Sequence, residues 1–300
     1  MKITTYNKDD LQRQIDFLEN RLDLDRINPF VLRDELNKYF PLIPVGVLDI
    51  KKGTKIFRGR IHEGGPSYKK VQDFSYVPHD IKAKCKEFGR ANLPMQSLFY
   101  SSNNLDTAQM ECICKDIKNK IWFLSFGEWE VQEDLIVADI ILHDIEQIKT
   151  TSVAKKRDHV HNLIKQDLDE KQFEYVKMIL DFFGRQFAKT NIPTDRHYLL
   201  SVYLADRLLD LKENGRQIDG IQYPSIPMIY QGNNIVLKPT VVDNNKIKLI
   251  KTYEMVCGLG GGMQLQSKIE NTSKEIKDSE IFWHKEGVEF YVNIDRHDRH

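Results

Sequence analysis

Apolar positions three and four residues apart open the chain. In residues 7–24, Leu11, Ile15, Leu18 and Leu22 fall on one face of a helix. Asn28-Pro29 interrupts the run. Phe30 to Phe40 predicts a second helix, which Pro41 and Pro44 end. From Val45 the period shortens to two. VGVLDI and Thr54 to Ile61 read as strands. Alternation puts Ile56, Arg58 and Arg60 on one face and Phe57, Gly59 and Ile61 on the other. By itself the arginine pair reads as a solvent face or an anion site. Residues 62–88 carry Gly64-Gly65-Pro66 and Tyr76-Val77-Pro78 and read as a long irregular loop.

The central stretch is GRANLPMQSLFYSSNNLDTAQME, Gly89 to Glu111. It predicts a loop carrying Arg90, a short strand from Ser97 to Ser101, a turn at Ser102-Asn103-Asn104, and a helix from Asp106 to Lys118. Met110, Ile113, Cys114 and Ile117 form that helix's apolar stripe. Glu111 sits at the stripe's edge, where a carboxylate is partly desolvated and calls for a compensating cation or ligand.

Two strands are predicted in 121–142, the second (LIVADIIL) apolar throughout except for Asp139. Residues 155–188 read as helical, with Phe173, Val176, Ile179, Leu180 and Phe183 buried and Gly184 as a helix end. Thr194 to Lys212 predicts another helix, capped by Gly215. Asp219 to Ser225 is a turn and short strand, and Ile235 to Lys238 a further strand. The tail, 240–300, has β-period stretches that read as hairpins or a small β appendage. The expected division is a helical segment at 1–44, a core at 45–240 with a helical insert near 150–215, and a β-rich extension at 241–300.

Composition narrows the classes. Lys plus Arg and Asp plus Glu both number 44, so there is no basic excess for nucleic acid. No apolar run reaches the roughly 18 residues of a membrane span, and the N-terminus lacks a signal-peptide core. A cytoplasmic setting is the default expectation. Of the four cysteines, Cys85, Cys112, Cys114 and Cys257, the Cys112-x-Cys114 spacing on a predicted helix suits neither a zinc clip nor a disulfide, and buried free thiols are expected. Gly258 to Gly262 lacks the Lys-Ser/Thr of a P-loop and reads as a hairpin turn. His159-x-His161 has no third ligand in register, and His297 and His300 fall in the tail, so no metal site is expected.

Four pieces in order carry a resemblance: Phe57-Arg58-Gly59-Arg60; Gly89-Arg90-Ala91-Asn92; Leu98-Phe99-Tyr100 with Ala108-Gln109-Met110-Glu111; and Asp219 to Ser225 with Gly232-Asn233. Together they resemble the RES domain over about 45–240. The resemblance implies an α+β fold with an ADP-ribosyltransferase-like mixed sheet. It implies a toxin that consumes NAD+ as substrate, without a cofactor, neutralised by an antitoxin or immunity protein.

On that resemblance Arg58, Glu111 and Ser225 are catalytic, and Arg58, Arg90, Asn92, Tyr100 and Asn233 bind the nucleotide. Gly59 stands where family members often carry an aromatic ring. The flanking helices, the helical insert and the tail exceed the family's usual length. The implied chemistry suits these residue types. Guanidinium forks match phosphate oxygens. A carboxylate near the anomeric carbon stabilises the oxocarbenium-like ribose left when nicotinamide departs. The acceptor stays open at this point: water, phosphate, or a macromolecule receiving ADP-ribose. A non-catalytic nucleotide-binding or interaction module is the remaining alternative.

Overall fold

A computed structural model describes residues 7–41, 43, 45–62, 68–78, 85–114, 121–142, 151–213, 215–259 and 265–292. Pro44, the Gly64-Gly65-Pro66 stretch, Ile117, the Gly260–Gly262 run, His297 and His300 lie outside these residues. The fold is α+β.

Helices α1 (Lys8–Asn20) and α2 (Pro29–Tyr39) begin where Asn7 and Asn28 accept hydrogen bonds from the backbone N–H of Asp10 and Phe30. Pro29 fits the first helical turn, where its missing N–H costs nothing. Strands β1 (Gly46–Ile50) and β2 (Lys55–His62) follow. Then come β3 (Phe99–Ser102) and α3 (Leu105–Ile113). Strands β4 (Ile121–Val131) and β5 (Leu135–Asp139) lead to helices α4 (Thr151–Asp167), α5 (Glu170–Ala188) and α6 (Leu199–Leu209). The small hairpin β6 (Lys212–Glu213) and β7 (Arg216–Gln217) precedes β8 (Gly220–Pro224) and β9 (Asn233–Leu237). Helix α7 (Pro239–Asp243) and the long strands β10 (Ile247–Leu259), β11 (Leu265–Lys277) and β12 (Glu280–Val292) complete the described chain.

The chain divides into two compact units. The first comprises 1–48, 80–96 and 136–231, and the second 49–79, 97–135 and 232–300. The stretch 45–240 therefore contributes to both, and the tail belongs to the second.

In the first unit β5 and β8 pair in parallel, with Val137 opposite Gly220. Every residue of β5 is buried, as its apolar run requires. The N-terminal helices are part of this unit's core. Leu11, Ile15, Leu18, Leu32 and Leu36 are buried, and Phe40 stacks on Phe182 at 5.4 Å between ring centres. Arg185 holds Glu19 with two hydrogen bonds of 3.0 and 3.1 Å.

Four local expectations are corrected here. Gly184 does not end a helix. It lies inside α5, where an added Cβ would come 2.7 Å from the Ile141 carbonyl, so its bareness admits a close backbone approach. Gly215 does not cap α6, which ends at Leu209. It turns the β6–β7 hairpin at φ +78°. The first turn expected of that helix is a 3-10 turn over Asp195–Tyr198. Leu180 is only half-buried, although Phe173, Val176, Ile179 and Phe183 are buried as expected.

In the second unit the strands run β9-β3-β2-β4-β10-β11-β12. The tail strands are continuous with this sheet rather than an appendage: β10 pairs antiparallel with β4 from Ile247 opposite Val131 to Gly258 opposite Ile121. Part of the stretch expected as an irregular loop at 62–88 lies among the described residues. Its residues 68–76 form a strap with a 3-10 turn at Val71–Phe74 that buries Phe74 and Ser75.

Candidate functional site

The second unit builds its polar centre around β2, β3 and α3. An added Cβ at Gly59 would meet Cys112 Sγ and the Phe126 ring at 2.6 Å, so α3 packs directly on the glycine face of β2. Asn104 starts α3 by accepting from the Thr107 N–H at 2.8 Å. Two turns later Glu111 emerges partly buried, as its place at the edge of the apolar stripe predicts. Its Oε1 accepts from Asn234 Nδ2 at 2.6 Å. Asn234 in turn accepts from Ser102 Oγ at 3.1 Å through Oδ1. The two contacts fix which end of the amide faces the carboxylate.

The β3–β9 ladder supports this pair. Tyr100 lies opposite Val236 and Ser102 opposite Asn234. Tyr100 and Ser102 share one face by alternation, and Ser102 pairs with Phe57 of the glycine face. Asn103 and Asn233 lock the turn reciprocally: Asn103 N donates to the Asn233 carbonyl at 3.0 Å, and Asn233 N donates to Asn103 Oδ1 at 2.9 Å. Gly232 lies so close to Thr107 that an added Cβ would come 2.0 Å from its hydroxyl oxygen. Asn233 therefore contributes to the turn through its backbone.

Arg58 and Arg60 occupy the opposite face of β2. Arg58 Nη1 reaches the Tyr100 carbonyl at 2.8 Å, and its guanidinium lies 5.3 Å from the centre of the Phe99 ring. Arg60 Nη2 donates to the Ser75 carbonyl at 2.7 Å. Both residues are half-buried, yet the Nε of each is enclosed without a partner. Neither forms an ion pair among the described residues. An unsatisfied buried donor costs about 1–3 kcal/mol. Burial, and then the neighbouring Arg60, push the Arg58 guanidinium down to about 9. The arginine pair is thus a desolvated cationic pair and not the freely solvated face that alternation also allowed.

The remaining predicted residues lie in the first unit. Arg90 donates from Nη1 to the Phe187 carbonyl at 2.6 Å and from Nη2 to the Lys189 carbonyl at 3.2 Å, and it stacks on Tyr198 at 5.0 Å. It satisfies the exposed carbonyls at the end of α5, where a cation also meets the helix dipole. Asn92 Nδ2 donates to the Leu93 carbonyl at 3.0 Å, and the Asn92 carbonyl accepts from Gly89 N. Ser225 is fully buried, and its carbonyl accepts from Tyr230 N at 2.9 Å.

The structure links Glu111 to Asn234 and through it to Ser102, two residues from Tyr100 on β3, and links Arg58 to the Tyr100 carbonyl; Asn233 enters through its backbone. Asn234 and Arg60 were not among the predicted site residues. The signal for Asn234 was weak, an amide one residue past Asn233 in a polar turn. For Arg60 it was its place two residues beyond Arg58 on the same strand face. None of the four cysteines is in a disulfide, and only Cys257 is buried. Cys85, Cys112 and Cys114 are partly exposed, because 112 and 114 fall at the end of a short helix rather than in its middle. Among the described residues no helix is long and apolar enough to cross a membrane, and no group of three His, Cys, Asp or Glu gathers to hold a metal.

Compared with family models, curated proteins and solved structures, the chain matches none.

Proposed function

We propose that this chain consumes NAD+, breaking the bond between nicotinamide and ribose. The observation that supports this most is the Glu111–Asn234 pair: a partly buried carboxylate whose orientation is set by an amide that is itself held by Ser102. A carboxylate oriented beforehand stabilises developing positive charge without reorganising during the reaction. In the proposed step the C1′–N bond breaks, and its electron pair leaves with nicotinamide, which becomes neutral. The ribose is left oxocarbenium-like beside Glu111. Water then adds at C1′ and loses a proton, giving ADP-ribose.

Arg58, on the other face of β2 from Glu111, is assigned to the diphosphate on the reading that the nucleotide passes between β2 and β3, which pair only at Phe57 and Ser102, to a cation with no carboxylate partner among the described residues. Tyr100, on the Glu111 face of β3, is assigned to orienting the nicotinamide ribose. Arg90, whose guanidinium serves two carbonyls, is assigned to structure instead. A toxin acting this way requires a neutralising partner, proposed as an antitoxin or immunity protein.

The test is purified protein incubated with NAD+ and assayed for nicotinamide. Release by wild type and its loss in Glu111→Gln are expected. A wild type that releases none, or a Glu111→Gln variant as active as wild type, overturns the reading. Analysis of the ribosyl product distinguishes water, phosphate and macromolecular acceptors.

A further inference from the structure

Seven buried side-chain atoms meet at one seam of the second unit without a hydrogen-bond partner among the described residues. Six belong to the β2–β4–β10 sheet: Arg58 Nε, Arg60 Nε, Ser125 Oγ, Trp129 Nε1, Thr252 Oγ1 and Glu254 Oε1. The seventh, Ser75 Oγ, belongs to the strap 68–76. The register gathers the sheet atoms. Arg60 pairs with Ser125, and Ser125 with Glu254. Arg58 pairs with Gly127, and Gly127 with Thr252. Residues paired across antiparallel strands share a face, so these are two adjacent rows on one surface.

The strap closes that surface. Phe74 is fully buried, and its Cβ lies 3.2 Å from where a Cβ added to Gly127 would stand. Arg60 Nη2 donates to the Ser75 carbonyl at 2.7 Å. The fit is tight enough that water has no room beside any of the seven atoms. The closed arrangement therefore carries the desolvation cost of each of them. Folded proteins pair nearly all their buried polar groups, so a layer of orphans is stored free energy that favours opening. Lifting the strap lets water reach the whole layer at once.

The strap is built to move as one piece. Its own bonds hold its shape: Lys69 N and Lys70 N donate to Asp73 Oδ2 at 3.2 and 2.9 Å, and Ser75 N donates to the Gln72 carbonyl at 3.1 Å. Its other ties are at its margins. Val71 N donates to the Ser279 carbonyl, Ile281 N to the Lys69 carbonyl, Trp283 Nε1 to the Tyr68 carbonyl, and Tyr76 OH to Asp243 Oδ1. Lys70 and Glu280 form an isolated bridge and not a ladder.

We propose that the strap 68–76 is a gate. It lifts as a unit, uncovers Arg58, Arg60, Ser125 and Thr252, and closes again, with the Tyr76–Asp243 hydrogen bond as its latch. The consequence for activity rests on the NAD+ reading: phosphates find room beside Arg58 only while the gate is raised.

Thiol labelling of the full chain tests the gate without NAD+. Ser125→Cys places a thiol beneath the strap. Cys257 is the control in the same chain, fully buried on the other face of β10, where Gln109 of α3 contacts it. Protein is treated with iodoacetamide, and each site's rate, read by peptide mass spectrometry, is divided by its rate in urea. The introduced thiol is expected to react at least about tenfold faster than Cys257, because a local opening is easier than global unfolding. Tyr76→Phe is expected to speed it about tenfold further, the effect of losing one hydrogen bond to a charged group, and to leave Cys257 unchanged. An introduced thiol no faster than Cys257, or a rate that Tyr76→Phe does not move in folded protein, overturns the proposal. Thr252→Cys repeats the measurement if Ser125→Cys fails to fold. Should both fail, hydrogen exchange on wild type decides: the Val71 and Ile281 amides, which donate across the seam, must exchange together and before the β4–β10 ladder. Nicotinamide release by Tyr76→Phe is expected to rise. Labelling as expected with no nicotinamide released leaves the gate standing and refutes the NAD+ reading alone.

Discussion

Gly59 and Cys112 touch across the β2–α3 contact, where an added Cβ would come 2.6 Å from the cysteine sulfur and equally close to the Phe126 ring. Gly59 is the seat of a helix. Gly59→Ala is therefore expected to destabilise the fold by about 1–3 kcal/mol, the usual cost of overpacking. Urea denaturation measures it. Because Glu111 is carried by the same helix, nicotinamide release is expected to fall as well.

The Glu111–Asn234 hydrogen bond predicts two graded losses. Glu111→Gln keeps the shape and removes the charge, and is expected to lower kcat for nicotinamide release by about 10²–10³-fold, the range for losing one electrostatic contact to a developing charge. Asn234→Ala leaves the charge but releases its orientation. Its expected effect is smaller, about tenfold, and lies in kcat more than KM because substrate-binding groups remain. An Asn234→Ala variant with unchanged kcat would show that orientation of Glu111 does not matter.

Arg58 and Arg90 are expected to behave in opposite ways. Arg90→Met strips two backbone carbonyls of α5's end of a charged donor, at about 1.5–3 kcal/mol per hydrogen bond to a charged group. Thermal melting is expected to show the loss. Arg58→Met removes one hydrogen bond to a carbonyl together with a buried charge that has no acid partner among the described residues, two effects of opposite sign, so its cost to stability should be smaller than that of Arg90→Met. KM for NAD+ should instead rise. Melting and kinetics on the two variants separate a structural arginine from a ligand-binding one.

The depressed Arg58 guanidinium sets a pH dependence. Its folded value of about 9 lies below the ordinary arginine value, first through burial and then through Arg60. The unfolded chain holds this proton more tightly, so the penalty on the fold is complete below about pH 9 and is relieved as pH rises from there toward the ordinary arginine value. Anion binding follows the opposite course, because the charge that attracts phosphate is lost over the same range. KM for NAD+ is expected to climb above about pH 9 in wild type and to be high and flat in Arg58→Met. A wild-type KM that stays level to pH 10 would refute the assignment.

Much of the fold was legible because its signals are local. Leu11, Ile15 and Leu18 repeat at helical spacing and are buried, and the strand predicted over 121–131 is β4 from end to end. Asn104, three residues before Thr107, announced the start of α3. Those signals use only neighbouring residues, and backbone geometry answers to them directly. The sequence also determined that Arg58 and Arg60 share a face and that Glu111 sits at the edge of one.

Tertiary structure alone decided what each polar group meets. Arg90 looked like Arg58 in the sequence, yet the end of α5 supplies it with two carbonyls while β3 gives Arg58 a single one. Glu254 lies in the tail, far along the chain from Arg60, and reaches the same sheet face only because β10 pairs with β4 in that register. Ser125 and Thr252 are ordinary strand residues until the strap closes over them. A side chain's periodicity is set by its own segment, but its hydrogen-bond partner comes from whichever distant segment packs against it.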